Sequence, residues 1–152
     1  MTKLWVLIAD SSRAELVEVE GMGKKIHSVH TYDHPKGRAK NIALETDRPG
    51  RSFDRVGGQK HSMEQERDPH YHERQVFARQ LMDVLQKGQQ DKKFDAFAII
   101  APATFLGELN HNMTKQLKEL LSKEVTHDIV GIPEEKKRYD LMCQYLDLWN
   151  HN

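Results

Sequence analysis

From Asp47 to Asp68 the chain reads DRPGRSFDRVGGQKHSMEQERD and offers almost nothing to bury. Loops longer than about 12–15 residues without structure of their own are uncommon, and are usually functional or disordered. This polar run therefore divides the chain. Any core must come from the apolar segments on either side of it, and the run is the first place to look for function. We take the functional loop as residues 33–68, because periodicity is lost from Asp33 onward.

At 152 residues the chain is the size of one domain, expected to span 1–152 and to need no disulfide or metal staple. Its 23 basic and 23 acidic residues balance, so any attraction to a polyanion must be local. The single cysteine, Cys143, excludes a disulfide framework and fits a reducing compartment. The apolar run Leu4–Ala9 is too short to span a bilayer and lacks a signal peptide's cleavage site. A cytoplasmic protein without membrane insertion is expected.

Leu4–Ala9 is a continuous apolar run between polar residues, the pattern of a strand buried on both faces. Asp10-Ser11-Ser12 supplies turn chemistry. Ala14–Glu20 alternates, with Val17 and Val19 on one side and Leu16, Glu18 and Glu20 on the other. Gly21–Lys24 reads as a hairpin connection to a weaker strand, Lys25–Tyr32, completing an antiparallel meander.

A short helix at Lys40–Thr46 is one option within the loop, and after it Asp68-Pro69 pairs an N-cap residue with proline at the first helical position. Phe77, Leu81, Val84 and Leu85 then recur at helical spacing, and Gly88 is placed to end that helix. Phe94–Ala101 predicts a second buried strand, Thr104–Asn110 a helical turn, and Met113, Leu117, Leu120 and Leu121 a helix from near Asn112. A short strand at Val125–Val130 follows. Pro133 opens a last helix with Leu141, Tyr145 and Trp149 in one stripe beside Met142 and Leu146. The fold class is α/β: a three-strand meander, then α-β-α-β-α, giving a mixed sheet with helices packed on it, the order of a ribonuclease H-like arrangement.

Between Lys36 and Lys60 the basic residues Lys36, Arg38, Lys40, Arg48, Arg51, Arg55 and Lys60 face only Glu45, Asp47 and Asp54. This local positive charge suits phosphate contacts, with a solvated charged loop as the plainer alternative. In its midst lies Gly57-Gly58-Gln59. Paired glycines allow positive φ and close backbone approach to a ligand, and the glutamine adds an amide.

The position of this string, between the meander and the first long helix, resembles the middle domain of archaeo-eukaryotic class I translation release factors. FAIIAPATFLGELN (Phe97 to Asn110) is similar to that domain's strand followed by an F-x-x-E-L segment. More closely, nearly the whole chain resembles the bacterial single-domain relatives labelled host attachment proteins. The shared residues are ADSSRAE (Ala9–Glu15), HP-x-GR (His34–Arg38), DRPGRSFD (Asp47–Asp54), GG-x-x-HSME (Gly57–Glu64), FAR (Phe77–Arg79) and AP-x-x-LG (Ala101–Gly107).

The family label implies an interaction protein acting in attachment to a host cell, with a host-cell or surface partner. The release-factor relationship implies peptidyl-tRNA hydrolysis or rescue of stalled ribosomes. The partners would then be rRNA and peptidyl-tRNA, contacted by Lys36, Arg38, Arg48, Arg51, Arg55 and Lys60. Gly57, Gly58 and Gln59 would form the catalytic tip, needing no metal or cofactor. A main-chain amide aimed at developing charge is typically worth about 10²–10³ in rate. The residues after the string, Lys60-His61-Ser62-Met63-Glu64, depart from the small and aromatic-basic residues of release factors. A ribosome-binding factor without hydrolytic activity is the third reading. With no codon-reading domain expected, rescue rather than termination is implied.

His61 and Glu64 are candidate supporting residues. They do not make a metal site with His70 and His72, because histidines two apart on a helix point to different faces and zinc needs three or four converging ligands. No G-x-S-x-G elbow surrounds Ser11 and Ser12, so Asp10, Ser11 and Ser12 read as a turn. Asp10 ends its strand whereas Asp95 begins one, which separates them and argues against a two-metal nuclease. Oligomeric state has no signature in the sequence.

Overall fold

The structure, a computed structural model, describes residues 2–35 and 69–148. The short helix expected as an option at Lys40–Thr46 and Trp149 of the last helical stripe lie outside these residues. In chain order the elements are β1 (Lys3–Ala9), β2 (Arg13–Glu20), a 3₁₀ turn (Gly21–Gly23) and β3 (Lys25–Asp33). From residue 69 come α1 (Pro69–Gln90), β4 (Ala96–Ala101), α2 (Ala103–His111), α3 (Lys115–Leu120), β5 (Leu121–Thr126) and α4 (Glu135–Leu146). The strands form one mixed sheet in the order β3-β2-β1-β4-β5. β1 pairs antiparallel with β2 and parallel with β4, and β4 pairs parallel with β5.

The continuous apolar run becomes the middle strand because helices cover both of its faces. Trp5, Leu7 and Ala9 belong to one core with Ala14, Leu16, Phe97 and Ile99 of the sheet. Over that face α1 lays Phe77, Ala78, Leu81, Met82 and Leu85, α2 lays Phe105 and Leu109, and α3 lays Leu117. Val6, Ile8, Val17, Val19, Ala98 and Ile100 face the other way, against Met142, Cys143 and Leu146 of α4. Full burial of one such side chain stabilises by roughly 1.5–3 kcal/mol, so these two cores dominate the favourable side of folding.

The helical turn and the separate helix expected between β4 and β5 are both present, the first as a full helix; Thr114 caps the second by accepting a hydrogen bond from the Leu117 N–H at 3.1 Å. Two expectations are corrected. The last strand is Leu121–Thr126 rather than Val125–Val130. It is an edge strand whose Ser122, Lys123 and Glu124 are exposed, so it lacks the apolar run that marks a buried one. Second, α1 continues past Gly88 to Gln90.

The end of α1 is set by Lys92, which takes a left-handed φ of 56°. The Lys93 N–H bonds back to the Gly88 carbonyl at 2.8 Å and the Lys92 N–H to that of Gln89 at 3.0 Å. This is a Schellman closure without glycine. α4 ends the same way: Asp147 has φ 59°, and the Leu148 N–H reaches the Cys143 carbonyl at 2.9 Å.

Gly88 serves close approach instead of termination. A Cβ there would stand 2.6 Å from Cζ3 of Trp5 and 3.1 Å from Cε2 of Phe94. At Gly107, on the exposed side of α2, a Cβ would meet nothing within 4 Å. The same substitution should thus have opposite signs at the two sites. Gly107→Ala is expected to stabilise by about 0.5–1 kcal/mol. Gly88→Ala should gain that propensity and lose about 1–3 kcal/mol to overpacking, for net destabilisation. Urea midpoints of the two variants check this.

Candidate functional site

The parallel pairing of β1 and β4 gives the sheet a carboxyl edge, where ligands gather in open α/β sheets. β1 ends there at Ala9 and β4 at Ala101, and β2 begins and β3 ends beside them, with Arg13 opposite Asp33. β3 ends at this edge with Asp33, and the first turns of α1 lie beside it, where Glu73 meets His34.

The first turn at the edge is built by Asp10. Its Oδ1 accepts hydrogen bonds from the Ser12 N–H at 2.8 Å, the Arg13 N–H at 2.9 Å and the Ser12 hydroxyl at 3.2 Å. Its own N–H donates to the Arg13 carbonyl at 2.9 Å. Asp10, Ser11 and Ser12 are therefore turn-formers, as their chemistry implies. Asp95 is at the opposite edge, where its carboxylate accepts from the Lys3 N–H at 2.8 Å.

The Ser12 carbonyl accepts from the His34 N–H at 2.7 Å, which ties the outgoing end of the loop to the β1–β2 turn. The His34 Nε2 lies 2.8 Å from Oε1 of Glu73, near the start of α1. Both side chains are largely shielded, at 14% and 11% exposure. The imidazole also stacks on Phe77, with centroids 5.1 Å apart and planes within 7°, and Phe77 in turn stacks on Phe105 of α2. One histidine thus clasps the end of β3 to the first turns of α1 over an aromatic floor. An imidazole held by a carboxylate can anchor a segment or carry a proton. On the next helical position Arg74 sits 5.6 Å from the Tyr71 ring centre. Its Nε is buried with no hydrogen-bond partner among the described residues.

Around the corner of the same edge, on the α4 side, a second polar cluster forms. Glu15, only 4% exposed, accepts from Nε of Arg138 at 2.8 Å and from the Tyr139 hydroxyl at 2.6 Å. Arg138 also donates to the Ile132 carbonyl at 2.7 Å, which pins the connection after β5. Burial alone would lower the affinity of Arg138 for its proton, but Glu15 outweighs it and holds the guanidinium above its ordinary pKa. Burial and then the Glu15 carboxylate push the Tyr139 hydroxyl far above its ordinary range. This cluster is a brace between β2 and α4.

The loop residues singled out from the sequence, Gly57, Gly58, Gln59, Lys36, Arg38, Arg48, Arg51, Arg55, Lys60, His61 and Glu64, lie outside the described residues. His72 is exposed on α1. Among the described residues no three His, Cys, Asp or Glu side chains are grouped to hold a metal ion. No described helix is long and apolar enough to cross a membrane. A groove of about 440 Å³ lined by Trp5, Asp83, Val84, Lys87 and Gly88 lies towards the other end of α1.

Sequence reasoning gave no role to His34, Glu73, Glu15 or Arg138. His34 and Glu15 stand inside strings that carry the family resemblance, which was the available signal. Glu15 and Arg138 are 123 positions apart, and no local pattern links them.

These features define an α/β protein in which the end of β3 and the start of α1 are joined by a histidine–carboxylate pair at the carboxyl edge of its sheet. The family model described as "Protein required for attachment to host cells" matches residues 5–138, and the chain belongs to that host attachment family. No curated protein matches the chain.

Removing one partner of a buried pair strands the other charge, at a typical cost of 3–5 kcal/mol. Arg138→Leu is expected to destabilise by about that much. The double variant Arg138→Leu/Glu15→Leu should recover most of the loss. Denaturant unfolding of the three proteins measures both effects.

Proposed function

We propose that this protein acts in attachment to host cells as a non-enzymatic interaction protein whose working part is the 33–68 loop. Membership of the host attachment family carries this reading. The His34–Glu73 clasp supports it, since it brings the two ends of a long polar segment to one point of a rigid edge. We take residues 1–152 as one domain. The order β3-β2-β1-β4-β5, with an antiparallel meander and two parallel strands, supports the ribonuclease H-like arrangement.

The clasp also makes the loop removable, because a short Gly-Ser linker can join ends already held together. In a strain lacking the gene, the wild-type chain is expected to restore adhesion to host cells. A chain with residues 36–68 replaced by such a linker should fold with an unchanged melting transition and fail to restore adhesion. Equal restoration by both would exclude the loop. Fractionation of the same cells separates direct display at the surface from an indirect role.

A second reading is favoured by Gly57-Gly58-Gln59 and its basic neighbours Lys36, Arg38, Arg48, Arg51, Arg55 and Lys60. In it the loop meets the ribosome and releases peptide from peptidyl-tRNA, as the similarity to release-factor middle domains implies. Gln59 and the glycine amides would polarise the ester, with His61 and Glu64 in support. Arg74, whose buried Nε has no partner among the described residues, offers one more cation near the start of α1. Stalled ribosome–nascent-chain complexes should release peptide with the wild-type chain and not with Gly58→Ala/Gln59→Ala. Ribosome co-sedimentation should weaken steeply with salt. Co-sedimentation without release would mark a binding factor, and release that is equal with both chains would exclude loop chemistry.

A further inference from the structure

Towards the amino edge of the sheet, α1 and β1 leave a groove of about 440 Å³ between them. That volume falls within the roughly 300–1,000 Å³ of ligand sites. Its floor is apolar and firmly held. The Trp5 ring stands against the bare backbone at Gly88 and tilts on Phe94, with centroids 4.9 Å apart. Its Nε1 donates to Glu18 at 3.1 Å, so the indole has its polar atom satisfied before any ligand arrives. Val84, half-buried on α1, continues the floor.

The charges around this floor are ordered along the helix. Lys87 and Asp91 stand one turn apart and pair at 3.8 Å, so each offsets the other. Asp83 and Lys93 also line the groove; both are exposed, and neither has a partner among the described residues. The Asp91 N–H still bonds to the Lys87 carbonyl at 3.0 Å, so Asp83 and Asp91 lie on one helical path. At 1.5 Å per residue about 12 Å separates them along the axis. Lys93 stands beyond, past the left-handed Lys92. The groove is thus apolar along its length, with an unpaired anion at one end and an unpaired cation at the other.

A free amino acid carries its two charges too close together to meet both ends. An extended peptide rises about 3.3 Å per residue, so side chains four positions apart stand about 13 Å from one another. Positions one, three and five of such a segment also share a face. That geometry matches the spacing of the groove's charges, with its apolar floor between them.

We propose that the groove takes an extended peptide segment of a partner protein, with a basic, an apolar and an acidic residue at alternate positions. The basic side chain meets Asp83, the apolar one rests on Trp5 and Val84, and the acidic one meets Lys93. The order of the two charges sets the direction in which the peptide lies. This surface is separate from the carboxyl edge and does not depend on the 33–68 loop.

Heteronuclear magnetic resonance of the isotope-labelled full chain tests this through the Trp5 indole N–H and the Gly88 amide. The probes are the end-blocked peptides Lys-Ala-Leu-Ala-Asp, Lys-Ala-Leu-Ala-Lys and Asp-Ala-Leu-Ala-Asp. The first is expected to move both signals with a dissociation constant below about 1 mM. Exposed charge pairs are individually weak, so it should bind about three- to tenfold tighter than the other two. Serine in place of its leucine should weaken it by about tenfold or more.

Lys93→Glu makes both ends acidic and should transfer the preference to the two-lysine peptide. Asp83→Lys makes both ends basic and should transfer it to the two-aspartate peptide. Signals that no peptide moves overturn the proposal, as does an order of preference that neither substitution changes. Free leucine binding as tightly as the first peptide would assign the groove to a small molecule and overturn the peptide reading. If Lys93→Glu fails to fold by circular dichroism, Lys93→Gln decides, since it should erase the advantage of the first peptide over the two-lysine one.

Discussion

Trp5, Leu7 and Ala9 face one helix layer while Val6 and Ile8 face the other, so β1 is stable only between the two. A strand apolar on both sides has no solvated face to offer. It therefore requires α1 on one side and α4 on the other, with β2 and β4 along its edges to take up its peptide groups. Gly88 shows how closely the first requirement is met: the helix approaches Trp5 to a distance that leaves no room for a methyl group. The whole order of the sheet follows from sealing this strand.

The same arrangement creates the carboxyl edge. Because β1 and β4 run parallel, their carboxyl ends emerge together, and the chain must turn there each time it leaves the sheet. Asp10 closes one turn with its carboxylate, and the Ser12 carbonyl of that turn receives His34. The Glu73 carboxylate then holds the imidazole, with Phe77 beneath it. Three contacts from elements that the core has already placed thus fix His34 at the start of α1. Glu15, Arg138 and Tyr139 brace the other side of this edge.

How legible each part was depended on the range of the interactions behind it. β1, β2, α1 and β4 announced themselves because a face covered by helices demands a regular apolar spacing. β5 did not, since an edge strand with exposed Ser122, Lys123 and Glu124 has no such demand placed on it. The end of α1 was misplaced at Gly88 because the residue that takes the left-handed turn is Lys92, whose side chain gives no sign of it. In the site, Asp10 was legible as a turn-former because its partners are two and three residues away. The His34–Glu73 clasp was not, because the two residues lie 39 positions apart.

By itself the sequence determined which segments must be buried, that a meander precedes alternating helices and strands, and to which family the chain belongs. These are local or cumulative properties: apolar periodicity, turn chemistry and shared strings. Only the tertiary structure decided where β5 begins, that Gly88 is a contact and not a stop, and which side chains meet at the carboxyl edge. Those outcomes come from pairs of groups distant along the chain, whose approach is set by the sealing of β1. Their free energies exist only once that sealing has occurred.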